Sequence, residues 1–210
     1  MTPYEAILFD FDGVLADTEP LHFESWAEAL LPLGVSLDWP TFEKHCVGIP
    51  DRVVAEFFCG LAHPPADFET VWARHAVKLD LFLAKIRQRP CFLPEIPALI
   101  QSLSCYRLGI VSASSRFEIE PPLEAAGIRD YFDVIIGTED VERTKPAPDP
   151  YLLALRRLGV AKALAVEDSE AGAASGKAAG LDVLRVPRPA DMPGLLKSRL
   201  QIAANQATKS

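Results

Sequence analysis

The chain has 210 residues, of which 49% are hydrophobic and 24% charged, and its formal net charge is -8. This length permits one substantial core or two modest ones, and the acidic balance argues against a nucleic-acid surface, which needs clustered lysine and arginine. Because the four cysteines form no CxxC pair, no apolar run reaches membrane-spanning length and the start lacks a basic segment with a cleavage site, we expect a cytoplasmic protein with reduced thiols and no membrane partner.

The first predicted element is a buried strand over residues 4–9, an apolar run that ends at Asp10. The interval after it has helical periodicity, with helices predicted at residues 21–31, 40–46 and 52–61. An apolar stripe at three- and four-residue spacing follows, between residues 68 and 86. We therefore predict an all-helical cap domain at residues 17–89, inserted into a core formed by residues 1–16 and 90–210.

The rest of the chain alternates between helices and short apolar runs that predict strands. Such runs suit a parallel sheet with both faces covered, so the alternation predicts a doubly wound α/β core. Pro121 and Pro122 predict a shortened helix with an extended loop before it. The predicted helices are residues 94–104, 121–126, 150–158 and 170–179, and the strands are residues 107–111, 133–137, 163–166 and 182–186.

Polar side chains follow four of the predicted strands. Each alone has a structural explanation, as a turn, a helix cap or a solvated loop side chain. In an open parallel sheet, however, ligands bind beyond the carboxyl ends of the strands, so the joint occurrence of these residues in chain order predicts one site. The residues are Asp10, Asp12, Ser112, Lys145, Glu167 and Asp168.

The segments FDFDGVLADTEPLH, VSAS, TKPAPDPY and VEDSEAG, which contain these residues, resemble the four motifs of the haloacid dehalogenase superfamily. They most resemble the branch of phosphatases and β-phosphoglucomutases, whose helical cap follows the first motif. The resemblance implies a Rossmann-like core and a Mg²⁺-dependent phosphatase that acts on a small phosphorylated metabolite, such as a sugar phosphate, through an aspartyl phosphate. Dehalogenase members lack the second aspartate, so FDFDG favours phosphoryl transfer.

The resemblance also implies the role of each motif residue. Asp10 would attack phosphorus, while Asp12 would act as general acid and then as general base. Ser112 would hydrogen-bond the phosphoryl group, and Lys145 would neutralise charge on the nucleophile and the phosphate. Mg²⁺ prefers oxygen ligands. Its ligands would be Asp10, the backbone carbonyl of Asp12, Glu167 and Asp168.

Weaker candidates lie in the predicted cap. Arg52, in GIPDRVV, resembles a cap residue that reaches the substrate, although a surface salt bridge is the alternative. His22 and Lys78 match cap positions near the substrate, but they could equally be a first-turn helix residue and a solvated side chain. Ser114 is a further substrate-binding candidate whose role stays open, as does that of Arg116.

Three functions remain open from the sequence. The first is the phosphatase, and the second is a β-phosphoglucomutase-like isomerase that uses the same residues. The third is a non-catalytic phosphate-sensing protein, against which the retention of every motif residue argues. We expect a small phosphorylated metabolite as the partner, no nucleic acid, and a monomer or weak homodimer.

Overall fold

The computed structural model describes residues 4–201. Its strands are β1 (Ala6–Phe9), β2 (Arg107–Val111), β3 (Val134–Ile136), β4 (Ala163–Glu167) and β5 (Asp182–Arg185). All pairs are parallel, and the order across the sheet is β3-β2-β1-β4-β5. All five predicted strands are confirmed, and so is the doubly wound α/β fold. The parts of the predicted core at residues 1–3 and 202–210 lie outside the described residues.

Helices cover both faces of the sheet and fill the interval between β1 and β2. Within the described range, none is both long and apolar enough to cross a bilayer. The helices are α1 (Glu19–Leu30), α2 (Trp39–His45), α3 (Asp51–Cys59), α4 (Phe68–Trp72), α5 (Arg74–Gln88), α6 (Ile96–Ser102), α7 (Arg116–Ala125), α8 (Asp149–Leu158), α9 (Glu170–Ala178) and α10 (Met192–Leu200). Short 3₁₀ helices lie at Leu31–Leu33, Arg129–Tyr131, Thr138–Asp140 and Pro189–Asp191.

The central strand β1 explains why the sheet needs helices on both faces. Its four residues are fully buried. Since side chains alternate along a strand, Ile7 and Phe9 enter the hydrophobic cluster on one face, while Ala6 and Leu8 enter the cluster on the other. A strand buried on both sides is apolar throughout, as is typical of parallel sheets.

Helices α1–α5, which we call the helical insert, have a hydrophobic cluster of their own. Trp26 and Phe58 lie at 5.2 Å between ring centroids, and both are fully buried. The insert is joined to the core by two chain segments, and these are bonded to each other, because the N–H of Asp17 donates to the carbonyl of Cys91 at 2.8 Å. The division into a cap at residues 17–89 and a core stays a prediction.

Two features differ from the sequence expectation. The prolines Pro121 and Pro122 do not shorten α7, which begins at Arg116, so the expected extended loop is wrong. Ser115 is the N-cap of this helix, and its N–H donates to the Glu118 carboxylate at 3.1 Å. The helix continues through the prolines, with Ile119, Pro122 and Leu123 buried against the core. Helix α10, which the sequence analysis missed, buries four residues: Met192, Pro193, Leu196 and Leu200.

Replacing Leu8 by alanine tests the two-sided burial of β1. We expect Leu8→Ala to lower the free energy of unfolding by about 2–5 kcal/mol, because it leaves a cavity beside the sheet. The matched control is Leu31→Ala, at a side chain that is 65% exposed, which we expect to change the free energy by less than about 0.5 kcal/mol. Denaturant unfolding measures both, and equal losses would contradict this account of the core.

Candidate active site

The sheet order reverses between β1 and β4, since β2 and β3 lie on one side of β1 and β4 and β5 on the other. Ligands bind at such a switch point beyond the carboxyl ends of the strands. Asp10 directly follows β1, and its N–H donates to the Val166 carbonyl at 2.9 Å, while Asp168 directly follows β4. Gly13, at φ +72°, lets the chain turn there, and a Cβ on it would lie 2.0 Å from Asp168 Oδ2.

Lys145 holds two of the carboxylates together. Its Nζ lies 3.1 Å from Asp10 Oδ2 and 2.6 Å from Glu167 Oε1, and all three side chains are buried. The Tyr151 hydroxyl donates to the same Glu167 oxygen. Helix α9 approaches Glu167 closely because Gly172 has no side chain, since a Cβ there would lie 1.8 Å from Glu167 Oε2. Ser112, which directly follows β2, lines the same cavity as Asp10, Lys145 and Asp168, so side chains from four strand ends lie together.

The acidic residues fit a divalent cation. Asp10, Glu167 and Asp168 each offer a carboxylate oxygen, and these oxygens lie within 4.8 Å of one another. The second Glu167 oxygen, Oε2, is buried without a hydrogen-bond partner. Burial and the nearby Glu167 carboxylate raise the pKa of Asp10 well above its usual range and that of Asp168 to about 6. One lysine does not balance these charges, so a hard cation such as Mg²⁺ matches the set.

Asp12 lies among hydrogen-bond donors instead. One oxygen accepts from Ser114 Oγ at 2.6 Å and from Ser112 Oγ at 3.3 Å, while the other contacts Thr18 Oγ1 and lies 3.3 Å from His22 Nε2. Burial would raise the pKa of Asp12, but the hydrogen bond and charge of His22, together with the hydroxyl groups, hold it well below its usual range. Its environment therefore favours the ionised form of Asp12, whereas burial and neighbouring carboxylates oppose ionisation of Asp10.

Lys78 does not line the cavity at the aspartates. It is completely buried, where its ammonium contacts Asp51 Oδ2 at 2.6 Å and also Glu118 of α7. Asp51, His75 and Glu118 could by themselves hold a metal ion, but the Lys78 ammonium already supplies the positive charge there. The alternative of a solvated lysine is wrong, and the spacing shows why: Lys78, Phe82 and Ile86 recur every four residues on the buried face of α5.

Arg52 also lies outside the cavity. Its guanidinium packs over the rings of Phe68 and Trp72, 4.8 and 5.5 Å from their centroids. Asp51, the preceding residue, lines the cavity instead. Successive helical residues point about 100° apart. Asp51 begins α3 and shares its inner face with Val54, Ala55 and Phe58, so helical periodicity separates it from Arg52. The proposed contact between Arg52 and substrate stays a prediction.

The remaining candidates divide between the site and the surface. His22 and Ser114 line the cavity beside Asp12. Arg116 instead pairs with Asp140, at 2.9 and 3.1 Å. The sequence analysis missed Glu19 as a lining residue, although it stands within the first motif segment. Its position in the first turn of α1, three residues before His22, was the available signal.

Comparisons with known proteins extend over most of the chain. The haloacid dehalogenase-like hydrolase family matches residues 7–186. The fructose-1-phosphate phosphatase YqaB of Escherichia coli is 30% identical, over 87% of this chain and 96% of that protein. CbbY from Rhodobacter sphaeroides, in a complex with xylulose-(1,5)bisphosphate, is 32% identical with a TM-score of 0.75, covering 86% of this chain and 84% of that one. β-Phosphoglucomutase from Clostridium difficile is 26% identical with a TM-score of 0.74, covering 87% and 84%.

Thermal unfolding tests the cation site. The raised pKa of Asp168, about 6 against an ordinary 3.8, means that the folded protein binds more protons than the unfolded chain, so without metal its stability falls as the pH rises from about 4 to about 6. Mg²⁺ at about 100 times its Kd should raise Tm by about 5–10 °C at pH 8, and the same Mg²⁺ concentration should raise it by less at pH 5, below the pKa of Asp168.

The matched variants are Asp168→Asn and Asp130→Asn, since Asp130 is an exposed aspartate remote from the carboxylates. We expect the Mg²⁺-dependent rise in Tm to disappear in Asp168→Asn and to persist in Asp130→Asn. An undiminished rise in Asp168→Asn would mean that the ion binds elsewhere.

Proposed function

The chain belongs to the haloacid dehalogenase-like hydrolase family, and we propose that it is a Mg²⁺-dependent phosphatase that hydrolyses a small phosphorylated sugar or a similar monoester through an aspartyl phosphate. The observation that carries this proposal is that two aspartates close together in sequence have opposite electrostatic environments. Asp10 contacts Lys145 and lies near the carboxylates of Glu167 and Asp168, while Asp12, two residues later, is surrounded by hydroxyl groups and His22. The name of YqaB, a fructose-1-phosphate phosphatase, supports a sugar monophosphate as the substrate.

Asp10 is the nucleophile in this proposal. Its Oδ1 accepts the Phe11 N–H at 2.8 Å, which fixes the carboxylate plane, and its Oδ2 lies beside Lys145. Attack forms the bond between Asp10 and phosphorus and breaks the bond from phosphorus to the leaving oxygen. Lys145 and Ser112 bind the phosphoryl oxygens, where positive charge and a hydroxyl donor offset the repulsion between two anions. A bound Mg²⁺ would supply the further positive charge that this attack needs.

Asp12 moves the proton. A phosphate dianion bound beside it adds like charge, which raises its pKa and favours transfer of a proton from His22, at 3.3 Å, onto the carboxylate. Asp12 then protonates the leaving oxygen and, once ionised, takes a proton from the water that attacks the aspartyl phosphate. Burial and Lys78 lower the pKa of His22, but the hydrogen bond and charge of Asp12 together with the charge of Glu118 outweigh them and raise it, which favours a protonated His22 as the proton source.

The helical insert acts as the cap that excludes bulk water from the intermediate. His22 and Asp51 of the insert line the same cavity as Asp10 and Lys145 of the core. Lys78 of the insert binds Glu118 of the core, so both bodies contribute to one buried set of charges. Exclusion of water protects an aspartyl phosphate from untimely hydrolysis and strengthens the electrostatic interactions around it.

A mutase is the second candidate, because a β-phosphoglucomutase is among the similar structures. It would use Asp10 and Asp12 in the same way but return the phosphoryl group to a second sugar hydroxyl. The two activities differ in their product. Steady release of phosphate from several monoesters supports the hydrolase, whereas interconversion of sugar 1- and 6-phosphates that depends on a bisphosphate primer supports the mutase.

Substitution of the nucleophile is the most direct test. We expect Asp10→Asn to lower kcat on p-nitrophenyl phosphate by more than about 10³-fold, since an amide cannot form the covalent intermediate. The control is again Asp130→Asn, which we expect to retain full activity. Substantial Mg²⁺-dependent turnover by Asp10→Asn would refute an Asp10 phosphoenzyme.

Substitution of the proton-transfer residue should separate the two half-reactions. We expect Asp12→Ala to lower steady-state kcat by about 10²–10⁴-fold. Nitrophenolate leaves without a proton, so phosphorylation of Asp10 continues and only hydrolysis of the intermediate is slow. Rapid-quench measurement should therefore show a burst of about one nitrophenolate per site, followed by a slow phase. An unchanged kcat would show that Asp12 is not the general base.

A further inference from the structure

We infer that the substrate's leaving group is an uncharged, hydroxyl-bearing alcohol, and that the site disfavours esters with a second phosphate or a carboxylate. This inference rests on the proposed function and concerns the side of the same cavity that the helical insert forms. It goes beyond the relatives, one of which is known in complex with a bisphosphate.

Among the described residues, the insert presents no free cation to the cavity, and burial raises the pKa of its Glu19 to about 8. Among the described residues that line it, the insert contributes the carboxylates of Glu19 and Asp51 and the imidazole of His22, but no lysine or arginine. His22 already interacts with Asp12, since its Nε2 lies 3.3 Å from Asp12 Oδ1. The other side chains there are apolar or small: Phe42, Cys46, Ile49 and Val54.

The nearest lysine of the insert is not available to a second anion. Lys78 has no exposed surface, and its ammonium is shared by Asp51 and Glu118. To reach a ligand anion, it would have to leave both carboxylates without their counter-charge in a buried setting, which is strongly unfavourable. Its positive charge therefore balances protein carboxylates and adds little attraction for a substrate.

The nearest arginine is directed elsewhere. Arg52 packs on Phe68 and Trp72 at the outer side of α3, while Asp51 occupies the inward position one residue earlier. At the point where an arginine would attract a remote phosphate, this chain therefore presents a carboxylate. A second anion on the leaving group would therefore lose its hydration beside Asp51 without gaining a counter-charge, which is unfavourable.

An uncharged polyol fits the same lining. Its hydroxyl groups can donate hydrogen bonds to the oxygens of Asp51 and Glu19, and its carbon skeleton can pack on Ile49 and Val54. A site with few polar groups among apolar side chains is typical of small-molecule recognition. The phosphoryl group itself stays at Lys145 and Ser112.

Matched substrate pairs that differ in one anionic group test this inference. We would measure kcat/KM by phosphate release for fructose 1-phosphate against fructose 1,6-bisphosphate, and for glycerol 3-phosphate against 3-phosphoglycerate. We expect the member with the uncharged leaving group to be preferred at least about tenfold in each pair, because a second anion would be desolvated there without a counter-charge.

One variant removes the proposed cause. Asp51→Asn keeps an acceptor for Trp26 Nε1, which donates to Asp51 Oδ1 at 2.9 Å, and it removes one of the two carboxylates that balance the Lys78 ammonium. It should narrow the preference by about three- to tenfold, mainly by raising kcat/KM for the doubly anionic member. The control is Glu28→Gln, whose carboxylate lies on the surface of the insert with Lys85 and should leave the ratios unchanged.

The outcomes of these assays distinguish a failure of the inference from a failure of the proposed function. Turnover that is equal for both members, or faster for the bisphosphate and the carboxylate, would overturn the inference alone. An unchanged ratio in Asp51→Asn, shown by thermal melts to be folded, would also overturn it. If Mg²⁺ and the wild-type protein release phosphate from no ester at all, the proposed function fails, and the inference fails with it.

Discussion

The ammonium of Lys145 between Asp10 and Glu167 is the interaction on which the rest of the site depends. Burial lowers the pKa of a lysine, but the two carboxylates outweigh it and raise that pKa, so Lys145 remains charged. Three acids cannot be gathered at buried strand ends without such a counter-charge. The parallel sheet places the acidic residues at one edge, and the glycines near them allow the chain segments to approach closely. The lysine from the loop after β3 offsets the repulsion between the buried carboxylates.

The sequence was most informative where burial leaves few options. A four-residue strand such as β1, buried on both faces, contains only apolar residues. The sequence therefore predicted where this strand ends and which polar side chains follow it. The motif residues Asp10, Ser112, Lys145 and Asp168 consequently lie where the strand ends predicted. Helix α10 was missed because its buried residues are spread among lysine, serine and arginine, without a sharp apolar stripe.

The predictions that failed or stayed open concern side-chain direction and tertiary context. Pro121 and Pro122 lie within α7 because the capping interaction before them and the buried face around them outweigh the lost backbone donors. The motif resemblance pointed to Arg52, but one step along a helix turns a side chain by about 100°, and the inward position belongs to Asp51. Periodicity alone could have separated these two residues. The pairing of Lys78 with Glu118, 40 residues apart in sequence, could not have been read from either segment.

The bond between Asp17 and Cys91 joins the two segments through which the insert meets the core. Two adjacent connections of this kind permit rotation of the insert about the line through them and restrict its translation. Any such rotation would move His22 and Asp51 away from the core together. Water would then enter the cavity, Lys78 would separate from Glu118, and Asp12 would lose its proton donor in the same event. Entry of substrate and assembly of the proton-transfer pair would then depend on one motion of the insert.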